Sequence, residues 1–182
     1  QKANHEVNII VRDSRMIFFN TDKINIFTGN FANYESLRLA AENCEAIIHI
    51  AAVTATHLLK YNDYSRINVD GCRTIIKVAN ELSINNIVFV STSNTVGYGT
   101  AIKPADENTA MEFPFTESFY AQSKSEAEKL FVEASKTPDR HVIIINPAFM
   151  IGSFDTKPSS GKLMLMGYKK RILAIPNGGK NF

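Results

Sequence analysis

Five short apolar runs, spread over the first 145 positions and separated by helical patterns or polar loops, set the strongest constraint on the fold of this chain. They span Glu6–Val11, Ile24–Thr28, Ala46–Ala52, Ile87–Thr92 and Val142–Ile145. Short runs that are apolar without alternation read as strands covered on both sides, which is the habit of parallel sheets. Between them, Asn33 is placed to cap a helix over Tyr34 to Glu42, with Glu35 in its first turn. Cys72, Ile75, Ile76, Ala79 and Leu82 follow the i, i+3, i+4, i+7 rule of a long helix. Ala127, Leu130, Phe131 and Ala134 form the buried stripe of another, which starts after Phe119 and ends at Thr137-Pro138-Asp139. Strands alternating with helices predict an α/β fold, a doubly wound parallel sheet with helices on both faces.

Ligands of such sheets lie beyond the carboxyl ends of the strands. Arg12, Gly29, Ala51, Ser93 and Pro147 stand at those ends. From Gly152 the texture changes: Asp155–Gly161 reads as a loop, Leu163–Tyr168 as a helix, Ile172–Ile175 as a short strand and Asn177-Gly178-Gly179 as a turn. A domain boundary is therefore expected near residue 151.

The chemistry concentrates between Ile87 and Lys124. The strand Ile87-Val88-Phe89-Val90 runs into three hydroxyl residues, Ser91, Thr92 and Ser93, and the later helix opens on Tyr120-Ala-Gln-Ser-Lys124. Tyr and Lys four apart share a helix face. A phenol, with an ordinary pKa of about 10, is a poor acid-base catalyst near neutrality unless a cation favours its anion. Lys124 can supply that charge, while a hydroxyl such as Ser93 holds a carbonyl or alcohol oxygen and Tyr120 exchanges its proton.

Charge narrows the partners. With 20 Lys+Arg against 18 Asp+Glu the net charge is +2, and no basic block stands out, so neither nucleic acid nor a membrane surface is expected as a main partner. No apolar run approaches the ~20 residues of a membrane span, and a cytoplasmic protein is expected. Cys44 and Cys72 fit neither a metal knuckle nor a redox pair and read as buried thiols of a reducing compartment. His5, His49, His57 and His141 show no metal-ligand spacing, and His49, inside Ile47-Ile48-His49-Ile50, reads as a core histidine.

The chain resembles the extended short-chain dehydrogenase/reductase family, in particular its NAD-dependent epimerase/dehydratase and dihydroflavonol-reductase-like branch. The resemblance is carried by Val11-Arg12-Asp13, by Thr28-Gly29-Asn30 ahead of Tyr34-Glu35-Ser36-Leu37, and by Ile48-His49-Ile50-Ala51-Ala52. Ile67-Asn68-Val69-Asp70-Gly71, Val90-Ser91-Thr92-Ser93, Tyr120–Lys124 and Asn146-Pro147-Ala148 complete it, in the family's order. It implies a Rossmann-like dinucleotide-binding domain over 1–151 and the beginning of a substrate-binding domain over 152–182.

It also implies roles. Tyr120 is the general acid/base, Lys124 lowers its pKa and binds the nicotinamide ribose, and Ser93 orients the substrate oxygen, with Thr92 as its nearest rival. Asn68 matches an asparagine that supports a proton relay through water; a plain polar residue at a helix start is the alternative. The residues assigned to the cofactor are Arg12, Asn30, Phe31, Ala51, Ala52, Tyr120, Lys124 and Pro147. An acidic residue at the place of Arg12 accepts from a free ribose 2′-hydroxyl, whereas Arg can pair with a 2′-phosphate, so NADP is preferred over NAD. Asp13 beside it makes that preference mild.

The family's first strand and its Gly-rich, pyrophosphate-cradling turn have no counterpart here. That strand would lie between Val7–Val11 and Ala46–Ala52, and without it two apolar strands lack ladder partners. The expectation is a fragment or portion of a longer protein. The function implied is an NAD(P)-dependent oxidoreductase acting on a small-molecule carbonyl/alcohol pair. The alternatives are a nucleoside-diphosphate-sugar epimerase or dehydratase with retained NAD, and a non-catalytic cofactor sensor or scaffold. A homodimer through the helices carrying Cys72–Leu82 and Ala127–Ala134 is the assembly the resemblance allows.

Overall fold

The computed structural model describes residues 5–55, 57–100, 102–148, 150, 152 and 161–168. The apolar runs form five strands: β1 (Val7–Val11), β2 (Ile24–Thr28), β3 (Ala46–His49), β4 (Asn86–Val90) and β5 (His141–Ile145). Every pairing is parallel. β1 pairs with β2, Val7 against Ile24 through Val11 against Thr28. A second sheet runs β3-β4-β5, with Ile47, Ile87 and Val142 in one row and His49, Phe89 and Ile144 in another. β1 and β3, the strands between which a further strand was expected, belong to separate sheets.

Local sequence sets the entry to the first helix. After β2, the Gly29 N–H donates to the Val11 carbonyl at 2.8 Å and extends the ladder. A Cβ at Gly29 would stand 2.8 Å from the Ser36 Cβ, so only a residue without one lets the chain turn this tightly. α1 (Tyr34–Ala41) follows, and the Asn33 side chain accepts from the Ser36 N–H at 2.9 Å, as the capping pattern predicts. The other helices are α2 (Tyr61–Asn68), α3 (Asp70–Glu81), α4 (Phe119–Ala134) and α5 (Gly161–Tyr168). The expected strand at Ile172–Ile175 and turn at Asn177-Gly178-Gly179 lie outside the described residues.

One face of the three-stranded sheet holds the core. Leu37 and Ala41 of α1, Cys72, Ile75, Val78 and Ala79 of α3, and Ala127 and Phe131 of α4 close on Ile87 and Phe89 of β4. Ile47, Val142 and Ile144 complete that face from the neighbouring strands. The alternate residues point the other way, and Ile48 and Ile143 are 65% and 58% exposed. Parallel strands packed against helices are the expected α/β fold, and among the described residues α1, α3 and α4 all join this cluster. Both thiols are free, Cys72 buried and Cys44 half-buried.

By internal contacts the chain divides into two units, Gln1–Asn146 and Pro147–Phe182. Among the described residues no helix is long and apolar enough to cross a membrane.

Candidate active site

β4 and α4 bring the candidate groups together. The ladder continues one residue past β4, where the Ser91 N–H donates to the Ile145 carbonyl at 2.7 Å, and the chain then turns through Ser93–Thr95. The Thr92 hydroxyl starts that turn by accepting from the Asn94 N–H at 3.3 Å. Ser118 caps α4 by accepting from the Ala121 N–H, which puts Tyr120 in the first turn and Lys124 one turn later. The Lys124 side chain is buried, with Nζ donating to the Val90 carbonyl at 2.9 Å and lying 4.0 Å from the centre of the Phe89 ring.

Burial disfavours charge on both members of the pair. It lowers Lys124 to about 8, opposed by Cys72 and Glu128. Burial also pushes the Cys72 thiol up to about 12, so that it is neutral near pH 7. Tyr120 is raised by burial, and hydrogen bonding by the Thr92 side chain acts in the opposite direction. Lys124 was expected to hold the phenol low; here its ammonium is committed to Val90 and Phe89, and desolvation dominates Tyr120. A phenol kept protonated in this way is a proton donor to an oxygen placed beside it.

The turn after β4 is tied down by side chains. Glu128 Oε1 accepts from Asn146 Nδ2 at 2.6 Å and from the Thr95 hydroxyl at 2.7 Å. Asn146 Nδ2 is also 3.2 Å from the Thr92 carbonyl. The Ser91 hydroxyl, at the same end of the sheet, is buried without a hydrogen-bond partner among the described residues.

The sequence-derived candidates divide into those the structure gathers and those it sets apart. Tyr120, Lys124 and the Ser91–Ser93 hydroxyls occupy one end of the three-stranded sheet. Buried Thr92 caps the short turn by accepting from the Asn94 N–H, and half-buried Ser93 heads that turn. Asn68, at the end of α2 rather than at a helix start, is 1% exposed and its amide is fully engaged. It accepts from the Val53 N–H at 2.7 Å and donates to the Val53 carbonyl and to the Ser123 hydroxyl. Ser123 in turn donates to the Tyr120 carbonyl. Asn68 thus fastens the loop after β3 to α4, and its own carbonyl accepts from Cys72 Sγ.

Arg12 is exposed just beyond β1. The neighbouring Asp13 carboxylate is taken by Arg15, whose Nε and Nη2 donate at 2.9 and 2.8 Å, and this pairing holds Asp13 below the usual carboxylate range. Asn30 follows β2, where its side chain accepts from the Ala32 N–H. Phe31 packs on His49, with ring centres 4.9 Å apart, and would be struck by any Cβ at Gly71. Ala51 is exposed and Ala52 half-buried in the loop after β3, and half-buried Pro147 follows Asn146. His49, stacked between Phe31 and Phe89, is driven by burial to about 3 and stays neutral.

Thr95, Glu128, Asn146 and Arg15 were not among the expected site residues. For Glu128 a signal existed: it lies four residues after Lys124 and eight after Tyr120, on the same face of one helix.

An exposed arginine beyond β1, small alanines beyond β3 and an unpartnered buried hydroxyl beyond β4 fit a nicotinamide dinucleotide lying along the carboxyl ends of the strands. Comparison with known proteins agrees on the fold. The family described as 3-beta hydroxysteroid dehydrogenase/isomerase matches residues 4–149. Sterol-4-alpha-carboxylate 3-dehydrogenase ERG26, decarboxylating, of Candida albicans is 25% identical over 147 residues, 78% of this chain and 40% of that protein. The 4-hydroxy-2-methyl-3-oxo-4-farnesyl-3,4-dihydroquinoline-1-oxide ketoreductase of Stigmatella aurantiaca is 28% identical over 129 residues, 70% of this chain and 37% of that protein. This chain thus spans less than half the length of either relative. Among solved structures, MoeE5 in complex with UDP-glucuronic acid and NAD has a TM-score of 0.63 at 16% identity, over 79% of this chain and 46% of that one.

Proposed function

The chain belongs to the 3-beta hydroxysteroid dehydrogenase/isomerase family, and from that premise we propose that it carries the acid-base centre of an NAD(P)-dependent oxidoreductase acting on a carbonyl/alcohol pair. One observation carries the reading: a buried Lys124 ammonium and a half-buried Tyr120 phenol one helical turn apart, at the end of the sheet where β4 runs into the Ser91–Ser93 hydroxyls. When bound, the nicotinamide supplies or accepts the hydride. The protein handles the proton. Tyr120 donates from its phenol to the carbonyl oxygen in reduction and takes the proton back in oxidation. Thr92 or Ser93 orients that oxygen by hydrogen bonding. Lys124 gives the Val90 carbonyl one of its three ammonium hydrogens, and another could go to the cofactor ribose. Arg12 favours a 2′-phosphate, and Arg15 supports it by neutralising the Asp13 carboxylate that would otherwise repel one.

Both curated relatives are named for chemistry at a carbonyl or alcohol, a dehydrogenase and a ketoreductase, which supports the redox reading. Likeness to a protein holding a nucleotide sugar and NAD supports a second reading, a sugar-nucleotide epimerase or dehydratase. Fluorescence titration of the full-length protein with NADPH and NADH separates the two. Tighter NADPH binding with release between turnovers is expected. Tightly co-purifying NAD would move the assignment to the second reading, and binding of neither would overturn both.

A further inference from the structure

We propose that Glu128 is a positioning residue of this site: its carboxylate ties the turn after β4 to Asn146 and to α4, and so fixes the Thr92 and Ser93 hydroxyls relative to the helix that carries Tyr120 and Lys124. The inference rests on the acid-base reading above and adds to it a residue that touches neither substrate nor cofactor.

The geometry is a closed knot. Glu128 Oε1 receives Asn146 Nδ2 at 2.6 Å and the Thr95 hydroxyl at 2.7 Å. Asn146 Nδ2 also reaches the Thr92 carbonyl at 3.2 Å and Thr95 Oγ1 at 2.9 Å, and Thr95 Oγ1 lies 2.8 Å from that carbonyl. Hydrogens are limited, two on the amide and one on the hydroxyl. These three hydrogens meet the carboxylate oxygen and the Thr92 carbonyl, so Glu128 Oε1 is one of the two acceptors that keep both donors bonded. Remove the carboxylate, and one donor at this half-buried point loses its acceptor and the turn loses its anchor on the helix. The anchor is placed to matter, because it joins the turn that carries the Thr92 and Ser93 hydroxyls to α4, the helix on which Tyr120 and Lys124 stand.

Glu128 also faces Lys124 from one turn along α4. The other titratable groups around Lys124 are Cys72 on α3, His49 on β3 and Tyr120 on α4. The Cys72 thiol, at about 12, and the His49 ring, at about 3, are neutral near pH 7. The Glu128 carboxylate therefore favours the charged form of Lys124.

Two variants of the full-length protein test this. Glu128→Gln keeps an acceptor oxygen of the same reach but drops the charge, and Glu128→Ala drops both. For Glu128→Ala, kcat is expected to fall roughly 10- to 100-fold with KM for the cofactor within about twofold. For Glu128→Gln, most of kcat should survive, while the limb of the pH–kcat profile that belongs to Lys124 moves to lower pH. Glu126→Gln, on the same helix but bonded to Tyr61 and Arg73, should do neither. A folded Glu128→Ala with kcat unchanged overturns the proposal, as does a loss confined to KM. Should that variant not fold, Glu128→Gln decides alone, and an unmoved limb overturns it. Tyr120→Phe run in parallel keeps the two ideas apart: full turnover there defeats the acid-base reading itself, whereas an inactive Tyr120→Phe beside a normal Glu128→Ala defeats only the role of Glu128.

Discussion

Beyond the carboxyl ends of β3, β4 and β5, Asn68, Thr95, Glu128 and Asn146 are buried or half-buried and bonded through their side chains, whereas Arg12 and Asn30 beyond β1 and β2 stand in water. Ile87 and Phe89 of β4 are 1% and 0% exposed, while no residue of β1 or β2 is fully buried. Lys124 and Asn68 sit at 2% and 1% exposure behind the larger sheet; Arg12 and Asn30 are exposed at the smaller one. The two environments suit different tasks. Moving a proton near neutrality needs shifted pKa values, and only desolvation and close neighbours supply them. Attracting a charged group needs a full charge with open access, which burial would spoil.

The contrast can be broken by experiment, and the largest effect belongs to the deep end. Tyr120→Phe is expected to lower turnover by roughly 10²- to 10⁴-fold while NADPH affinity, followed by fluorescence, stays within about twofold. An equal loss of affinity would mean that the deep end binds more than it catalyses. Stability should divide along the same line. Phe131→Ala, at a side chain with 0% exposure stacked on Phe89, is expected to cost about 3–5 kcal/mol in urea unfolding. Ile26→Ala on β2, 40% exposed, should cost less than about 1 kcal/mol in the same measurement.

Acid comes next. His49 titrates near 3 in the fold against 6.5 unfolded, so between those values the unfolded chain binds more protons. The contribution is complete above pH 6.5 and is lost as pH falls toward 3, up to roughly 4 kcal/mol. His49→Phe, which keeps the stack between Phe31 and Phe89, should flatten that acid limb in unfolding curves taken across pH. At the shallow end the effects shrink. Arg12→Ala is expected to weaken NADPH about 10-fold and NADH hardly at all, and Asp13→Asn should change either by less than about twofold.

Much of this was legible in the residues. β2 runs from Ile24 to Thr28, the Asn33 cap is in place and α4 starts at Phe119, because local pattern and capping chemistry decide those features. α2 was not anticipated. Its buried positions are Tyr64 and Asn68, polar types that a search for an apolar stripe passes over. β3 stops at His49 instead of Ala52; one residue beyond the expected end, the Val53 backbone bonds to Asn68 rather than to a strand. At the site, the Tyr120–Lys124 pair and the hydroxyls after β4 could be read from spacing. The bonds of Asn146 to Glu128, Thr95 and Thr92 could not, since they join positions 18, 51 and 54 apart in the chain. Nor does spacing choose between Thr92 and Ser93 as the partner of the phenol, because the turn that aims them is made by those distant bonds.

The hold of Asn68 on Val53 has a consequence for recognition. Both the N–H and the carbonyl of Val53 are bonded to an amide that is itself buried, so the loop following β3 is fixed by the fold and not by whatever binds there. Ordering a loose loop on binding would cost about 1–2 kcal/mol of backbone entropy for each residue. Here that ordering is complete before a ligand arrives. On the proposed reading, the cofactor would meet at Ala51 and Ala52 an edge whose next residue is already held by this pair of bonds.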